Sequence, residues 1–296
     1  MRMKVVILGC GYLGYNLALG LQDKYDVTAV GINTPYHDGG FRYFERDCFR
    51  EGFGDGLGLE AAVVIDAIGM IGNRDTGDET TALLQLKQKY AVLLNELERS
   101  RIRSLIFFSS GGTVYGSSPV PVKEDTPLNP GSLYAKSKVM LEDMIREYPF
   151  SSLILRLSNP YGGKQDPNKN QGVIPILIRR ALKGETFLLY SGKNAVRDYF
   201  YIDDLCRAVD LLIQKGTSGV LNVGSGKGTS LGDLIRMTET ITGKAVRIVD
   251  RSEDTVVGCN ILDVSEIEKL TGWKAETALE TGMRKEEERI RKEEKI

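Results

Sequence analysis

Lys4-Val5-Val6-Ile7-Leu8-Gly9-Cys10-Gly11-Tyr12-Leu13-Gly14 is the stretch that decides the fold. Met3 to Leu8 is a short apolar run rich in β-branched residues and closed by glycine, which reads as a buried parallel strand. Gly9, Gly11 and Gly14 follow as GxGxxG, and Tyr15 to Leu21 has the apolar spacing of a helix. Glycine at such a turn lets the backbone approach a pyrophosphate, while the helix N-terminus offers N–H donors and the positive end of its dipole. A plain tight turn would use the same glycines. Their place between strand and helix favours a dinucleotide site, with Gly9, Gly11, Tyr12, Leu13 and Gly14 around the phosphates.

Further runs extend the pattern. Asp26–Ile32, Glu60–Ile68, Ser104–Phe108 and Ser151–Leu157 read as strands, with helices over Thr80–Ser100 and Leu133–Tyr148. This alternation predicts an α/β fold, a Rossmann-like doubly wound parallel sheet. Asp38–Asp47 reads as a loop. The composition shifts near Tyr161, so residues 1–160 are expected to form the dinucleotide-binding domain. Residues 161–296 are then a smaller α/β C-terminal substrate lobe, with segments near 196–224 returning to the first domain. Helices are expected at Val173–Gly184, Leu205–Gln214 and Ser230–Thr242, an extended piece at Phe187–Tyr190 and a strand at Gly219–Gly224. Arg284–Ile296 is a charged run that reads as a solvated or frayed helix.

In such a sheet ligands gather at the carboxyl ends of the strands. That places Ile68, Gly69 and Ser109 near the cofactor, with Asn33, Asp47 and Cys48; Asp47 could accept from an adenine amino group. An acid commonly ends the second strand in NAD sites, but Gly31 stands there, followed by Asn33 and Thr34. The nearest arginine that could meet a 2′-phosphate is Arg42. NAD and NADP therefore both stay open at this point.

Composition narrows the class. The 296 residues carry 39 basic and 40 acidic side chains, a net charge of -1, which gives no bulk field for nucleic acid or an acidic membrane. The single histidine, His37, argues against a His-based triad or a zinc site. Cys10, Cys48, Cys206 and Cys259 lack paired spacing and read as reduced thiols. No run is long enough to span a membrane and no signal-peptide pattern precedes Lys4, so a cytoplasmic protein is expected.

Chemistry enters at Asn129-Pro-Gly-Ser-Leu-Tyr134-Ala-Lys-Ser-Lys138. Ser132 can cap a helix that puts Tyr134 and Lys138 one turn apart on one face. A free phenol has a pKa of about 10. A neighbouring ammonium lowers it and makes the pair an activated proton-transfer unit. An amphipathic surface helix bearing a Tyr and a Lys is the bland alternative, and the short YxxxK pattern alone favours it. Ser109-Ser110-Gly111-Gly112-Thr113-Val114-Tyr115-Gly116 places hydroxyls and glycines at a strand's carboxyl end, where a ligand would sit.

These pieces together resemble the extended short-chain dehydrogenase/reductase family, in its NAD-dependent epimerase/dehydratase group acting on nucleotide sugars. The resemblance runs from Lys4 to Arg284 and rests on six motifs in order. They are the glycine loop, SSGGTVYG (Ser109–Gly116), YAKSK (Tyr134–Lys138), LRLSNPYG (Leu155–Gly162), VRDYFYIDD (Val196–Asp204) and NVGSGKGTSL (Asn222–Leu231). It implies Tyr134 as catalytic base and Lys138 as the residue that holds the nicotinamide ribose. It also implies Asn159 and Arg197 on the nucleotide diphosphate and Val173 near the nucleotide base. Arg251 and Asp254, in a polar stretch, complete the expected substrate contacts. A homodimer through the helices Thr80–Ser100 and Leu133–Tyr148 is a further implication.

Two departures stand out. Leu8 replaces the first glycine of the family's TGxxGxxG loop. Gly111 stands where the family has a catalytic Ser or Thr, so Thr113, or as second choice Ser110, is expected to reach the sugar hydroxyl. The implied reaction is 4-epimerisation of a nucleotide sugar, a UDP-hexose first, through a transient 4-keto sugar and tightly bound NAD. Related dehydratases carry an Asp-Glu pair at the positions of Gly112 and Thr113, so elimination lacks its acid and base here. A decarboxylase, an NADP-dependent 4-keto reductase and a non-catalytic nucleotide-binding regulator are the remaining alternatives.

Overall fold

The computed structural model describes residues 2–33, 39–54, 56–72, 78–166, 172–251 and 258–296. Its first half runs β1 (Lys4–Leu8), α1 (Tyr12–Leu21), β2 (Asp26–Gly31), β3 (Arg42–Glu45), α2 (Cys48–Glu51), β4 (Val63–Asp66), α3 (Glu79–Arg99), β5 (Ser104–Ser110), α4 (Gly111–Val114), α5 (Leu133–Arg146) and β6 (Ser152–Leu157). There follow β7 (Asn159–Tyr161), α6 (Val173–Lys183), β8 (Thr186–Leu189), β9 (Val196–Tyr201), α7 (Ile202–Lys215), β10 (Gly219–Val223) and β11 (Gly228–Ser230). The chain closes with α8 (Leu231–Thr242), β12 (Arg247–Asp250), β13 (Cys259–Asn260), α9 (Ser265–Thr271) and α10 (Leu279–Glu294).

Apolar residues on both faces of the early strands force cover on both sides of the sheet. Val5 and Ile7 of β1 pack with α1, α6 and α7, while Val6 and Leu8 pack with α3 and α5. The result is a parallel seven-stranded sheet in the order β10-β6-β5-β4-β1-β2-β3. The strand order reverses between β1 and β4, and in this architecture the ligand crevice opens at that point, outside the carboxyl ends of the strands. Of the segment 196–224, β10 joins this sheet beside β6, whereas β9 pairs with β7, β11 and β13 in a second sheet. β8 and β12 form a separate parallel pair.

Two expectations fail. The stretch Asp38–Asp47, read as a loop, contains the edge strand β3, which pairs with Thr28–Gly31 of β2. With four residues, exposed at both ends, it carries almost no apolar signal and takes its register from β2. The charged tail is not a frayed helix. On α10, Met283 and Ile290 are fully buried, and Glu286 is buried against Arg289 at 2.8 Å. The apolar stripe is only a few residues wide, so the surrounding charges mask it. Gly282 marks its closest approach: a Cβ there would lie 2.1 Å from the Tyr161 hydroxyl.

Ile290→Ala should therefore lower unfolding stability by about 3 kcal/mol in urea titrations. A solvated tail would instead give a change under about 0.5 kcal/mol.

Candidate active site

The glycine loop is shaped by contact. Gly9 has φ +91°, and a Cβ there would meet the Ala67 carbonyl at 2.8 Å; a Cβ on Gly14 would lie 2.0 Å from the Gly9 oxygen. Gly11 faces open space. It also caps α1 without a side-chain bond, and no acid sits in the first turn. The amide donors and positive dipole end at Tyr12, Leu13 and Gly14 are thus available to an anion, as a dinucleotide pyrophosphate requires. Leu8 has a structural reason: it is a buried strand residue paired with Asp66, upstream of the turn itself.

At the end of β2, a Cβ on Gly31 would lie 3.1 Å from Cys10, a tight contact for any side chain in that place. Asn33 is exposed on the same edge. Asp47 caps α2 by accepting from the Phe49 N–H at 3.0 Å, and burial pushes the Cys48 thiol up to about 12. Arg42 is remote from this edge. It aligns with Thr28 and pairs with Asp26 at 3.0 Å, toward the amino ends of the strands. Arg46 is nearer, but its guanidinium donates to the Phe53 carbonyl at 2.6 Å. After β4, the Ile68 N–H donates to Asp66 at 3.0 Å and Gly69 opens on empty space.

Ser132 caps α5 by accepting from the Ala135 N–H at 3.1 Å, which sets Tyr134 and Lys138 one turn apart. Lys138 Nζ donates to the Phe108 carbonyl at 2.8 Å and lies 5.8 Å from the Tyr134 ring centroid. The expectation that Lys138 lowers the Tyr134 pKa is not met. Burial pushes the phenol up, and the opposing influence is a hydrogen bond with the Ser110 side chain. Burial likewise pushes the Lys138 ammonium down, opposed by the charges of Asp66 and Glu142. Of the two candidate hydroxyls, Ser110 is the one against the phenol. Thr113 Oγ1 instead donates to the Ser110 carbonyl at 3.4 Å.

Gly111 also has a cause. A Cβ there would lie 2.6 Å from Leu262 Cδ1 and 3.0 Å from the Arg156 carbonyl. Leu262 fills the space that a Ser or Thr at 111 would need.

Beneath the pair lies a network that sequence reasoning missed. Glu142, one turn past Lys138, accepts from Ser109 Oγ at 2.5 Å and from Arg156 at 2.6 and 3.0 Å. Ser109, expected at the cofactor, thus turns its hydroxyl into the core. Arg156 also donates to the Tyr115 hydroxyl at 2.9 Å, which donates to Asn222 Oδ1 at 2.8 Å. The signal was a lone Arg in the apolar run Ser-Leu-Ile-Leu-Arg-Leu and a Glu four residues after Lys138.

The later motifs meet in the second sheet. Asn159 Nδ2 donates to the Asp198 carbonyl at 2.8 Å, since β7 runs beside β9. Arg197 donates to the Gly258 carbonyl at 2.6 Å. Buried Asp198 accepts from Ser225 and Gly226, which ties the NVGSG loop to the same place. Val173 starts α6 after Gly172, whose φ is +82°. Arg251 is exposed beyond β12, its N–H donating to the Leu189 carbonyl at 2.7 Å. Asp254 and His37 lie outside the described residues. Among the described residues no group of His, Cys, Asp and Glu could hold a metal ion, and no helix is long and apolar enough to cross a membrane.

Gly111→Ser should destabilise the chain by about 1–3 kcal/mol through overpacking, and Leu262→Ala should relieve part of that loss. Denaturant unfolding of the two single variants and the double variant measures the coupling; strict additivity would contradict the contact.

Three comparisons bear on this site. The profile of the NAD dependent epimerase/dehydratase family matches residues 5–224. A putative UDP-glucose 4-epimerase of Methanocaldococcus jannaschii is 35% identical over 199 residues, 65% of each chain. A dTDP-4-dehydro-6-deoxyglucose reductase of Escherichia coli is 36% identical over 187 residues, 61% of this chain and 59% of the relative. The matches thus span less than two thirds of these relatives. The structure of a Thermus thermophilus UDP-glucose 4-epimerase with NAD superposes with a TM-score of 0.87 over 98% of this chain and 99% of the other, at 23% identity. The family profile covers most of the chain: this protein belongs to the NAD-dependent epimerase/dehydratase family.

Proposed function

We propose that the chain is a nucleotide-sugar 4-epimerase, acting first on a UDP-hexose. The observation that carries this reading is the half-buried Tyr134 phenol, beside Ser110 and one helical turn from Lys138, at a sheet edge whose glycine loop suits a dinucleotide. The residues present fit NAD: Gly11 is open, α1 has no side-chain cap, and of the two arginines considered for a 2′-phosphate Arg42 is paired with Asp26 and Arg46 donates to the Phe53 carbonyl.

Tyr134 Oη takes the proton from the sugar O4, and the Ser110 hydroxyl holds O4 and the phenol in line. NAD, when bound at the glycine loop, would supply the hydride acceptor and donor for C4. Lys138 holds the ribose edge of the cofactor. The 4-keto sugar turns over, and Tyr134 returns the proton to O4 on the other face. Asn159 and Arg197 hold the diphosphate, a task that suits a guanidinium fork; Val173 lies at the base. Elimination is disfavoured because Gly112 and Thr113 offer no carboxylates. The second reading, reduction of a 4-keto sugar, is supported by the E. coli relative and would consume added cofactor.

A homodimer through α3 and α5 accompanies this reading. It is supported by Leu84 and Val92, which stand exposed at 55% and 63% on α3.

Incubation with UDP-, GDP-, dTDP- and CDP-hexoses, followed by NMR of the C4 configuration, should show inversion without added cofactor. Tyr134→Phe should remove turnover, Ser110→Ala should lower kcat roughly 100-fold, and Thr113→Ala should change it little. Net consumption of reduced cofactor, or full activity of Tyr134→Phe, would reject the assignment. In light scattering, Leu84→Glu should halve the mass of the particle; an unchanged mass would place the interface elsewhere.

A further inference from the structure

Asp66 has no role in the mechanism above, yet it sits at the carboxyl end of β4, 2% exposed. Its neighbours in the sheet are Leu8 of β1 and Phe107 of β5, both apolar. One carboxylate oxygen accepts from the Ile68 N–H, while the other is buried with the Tyr90 phenol beside it as a weak donor and no cation in contact. A buried carboxylate oxygen in that state costs free energy unless a charge answers it.

The groups that face it can be taken one by one. From α2 comes Cys48, a thiol that burial keeps protonated; from α3 comes the Tyr90 phenol, pushed well above its ordinary range. From α5 comes Lys138, whose Nζ lies 4.8 Å from the centroid of Phe107, the residue paired with Asp66. Lys138 has a second acidic neighbour in Glu142, but that carboxylate already holds Arg156 at 2.6 Å and Arg146 at 2.9 Å. Asp66 is therefore the anion near Lys138 that no other cation claims among the described residues.

We propose that Asp66 is a positioning residue for the catalytic pair: its carboxylate is the counter-charge that keeps Lys138 a protonated ammonium in a buried site. The inference rests on the reading of Tyr134 and Lys138 as that pair. Lys138 and Asp66 support each other's charged forms against burial, which disfavours both. Without the carboxylate, burial acts on the ammonium with Glu142, already shared by two arginines, as its remaining acidic neighbour, and Lys138 loses its proton at lower pH. An uncharged lysine no longer supplies the positive charge that favours the charge developing at O4.

The test is Asp66→Asn, which keeps the acceptor for the Ile68 N–H and removes a buried charge, so the fold is retained; Asp66→Ala repeats the test with a smaller side chain. Lysine side chains labelled at Cε are titrated by NMR in the purified protein, and the Lys138 signal is assigned from its absence in Lys138→Met. The midpoint of Lys138 should fall by about one pH unit or more in both variants. The alkaline limb of kcat should move down with it, with KM little changed. An unchanged midpoint, or a lowered midpoint with an unmoved kcat profile, overturns the proposal. The titration needs no turnover, so it reports on Asp66 even if the epimerase reading fails in the sugar panel.

Discussion

The buried ion pair between Glu142 and Arg156 is the constraint on which the site depends. Both side chains are almost wholly removed from water, a state that is unfavourable unless every remaining donor and acceptor finds a partner. Here they do: Ser109, Arg146, the Tyr115 hydroxyl and the Glu124 carbonyl complete the set. The pair joins α5 to β6, to the end of β5 and to the loop after α4. Tyr134, Lys138 and Glu142 follow one another at four-residue steps on α5. Fixing Glu142 in the core thus fixes the phenol at the sheet edge, beside Ser110.

The second constraint is topological. Parallel strands place all their carboxyl ends on one edge, and the reversal of strand order between β1 and β4 opens a crevice there. The glycine loop, the turn after β4 and the hydroxyls after β5 come from distant parts of the chain and meet for that reason. Asn159 and Arg197 arrive by another route. β7 and β9 pair in parallel, so that the SNPYG and VRDYF segments share one small sheet.

Much of this was legible in the sequence because it is local. The strand-glycine-helix opening, the cap at Ser132 and the Tyr134/Lys138 spacing are each set within a few residues. The features that were not legible are pairings between distant residues. Nothing near Gly111 says that Leu262 fills its space. Nothing near Lys138 says that the Phe108 carbonyl accepts from its ammonium. Nothing near Thr113 says that a four-residue helix turns its hydroxyl toward the Ser110 carbonyl and leaves Ser110 beside the phenol. The strand β3 and the helix α10 were misread for a different reason: their apolar content is too thin to show until a partner surface supplies the register.

The central claim is that one bound NAD and one tyrosine invert C4 through a transient ketone. A UDP-hexose deuterated at C4, incubated without added cofactor, tests it most directly. The account predicts both C4 epimers with the deuterium still at C4, since the hydrogen that leaves carbon returns to it without meeting water. Loss of the label to solvent, or accumulation of a 4-keto-6-deoxy sugar, would contradict it.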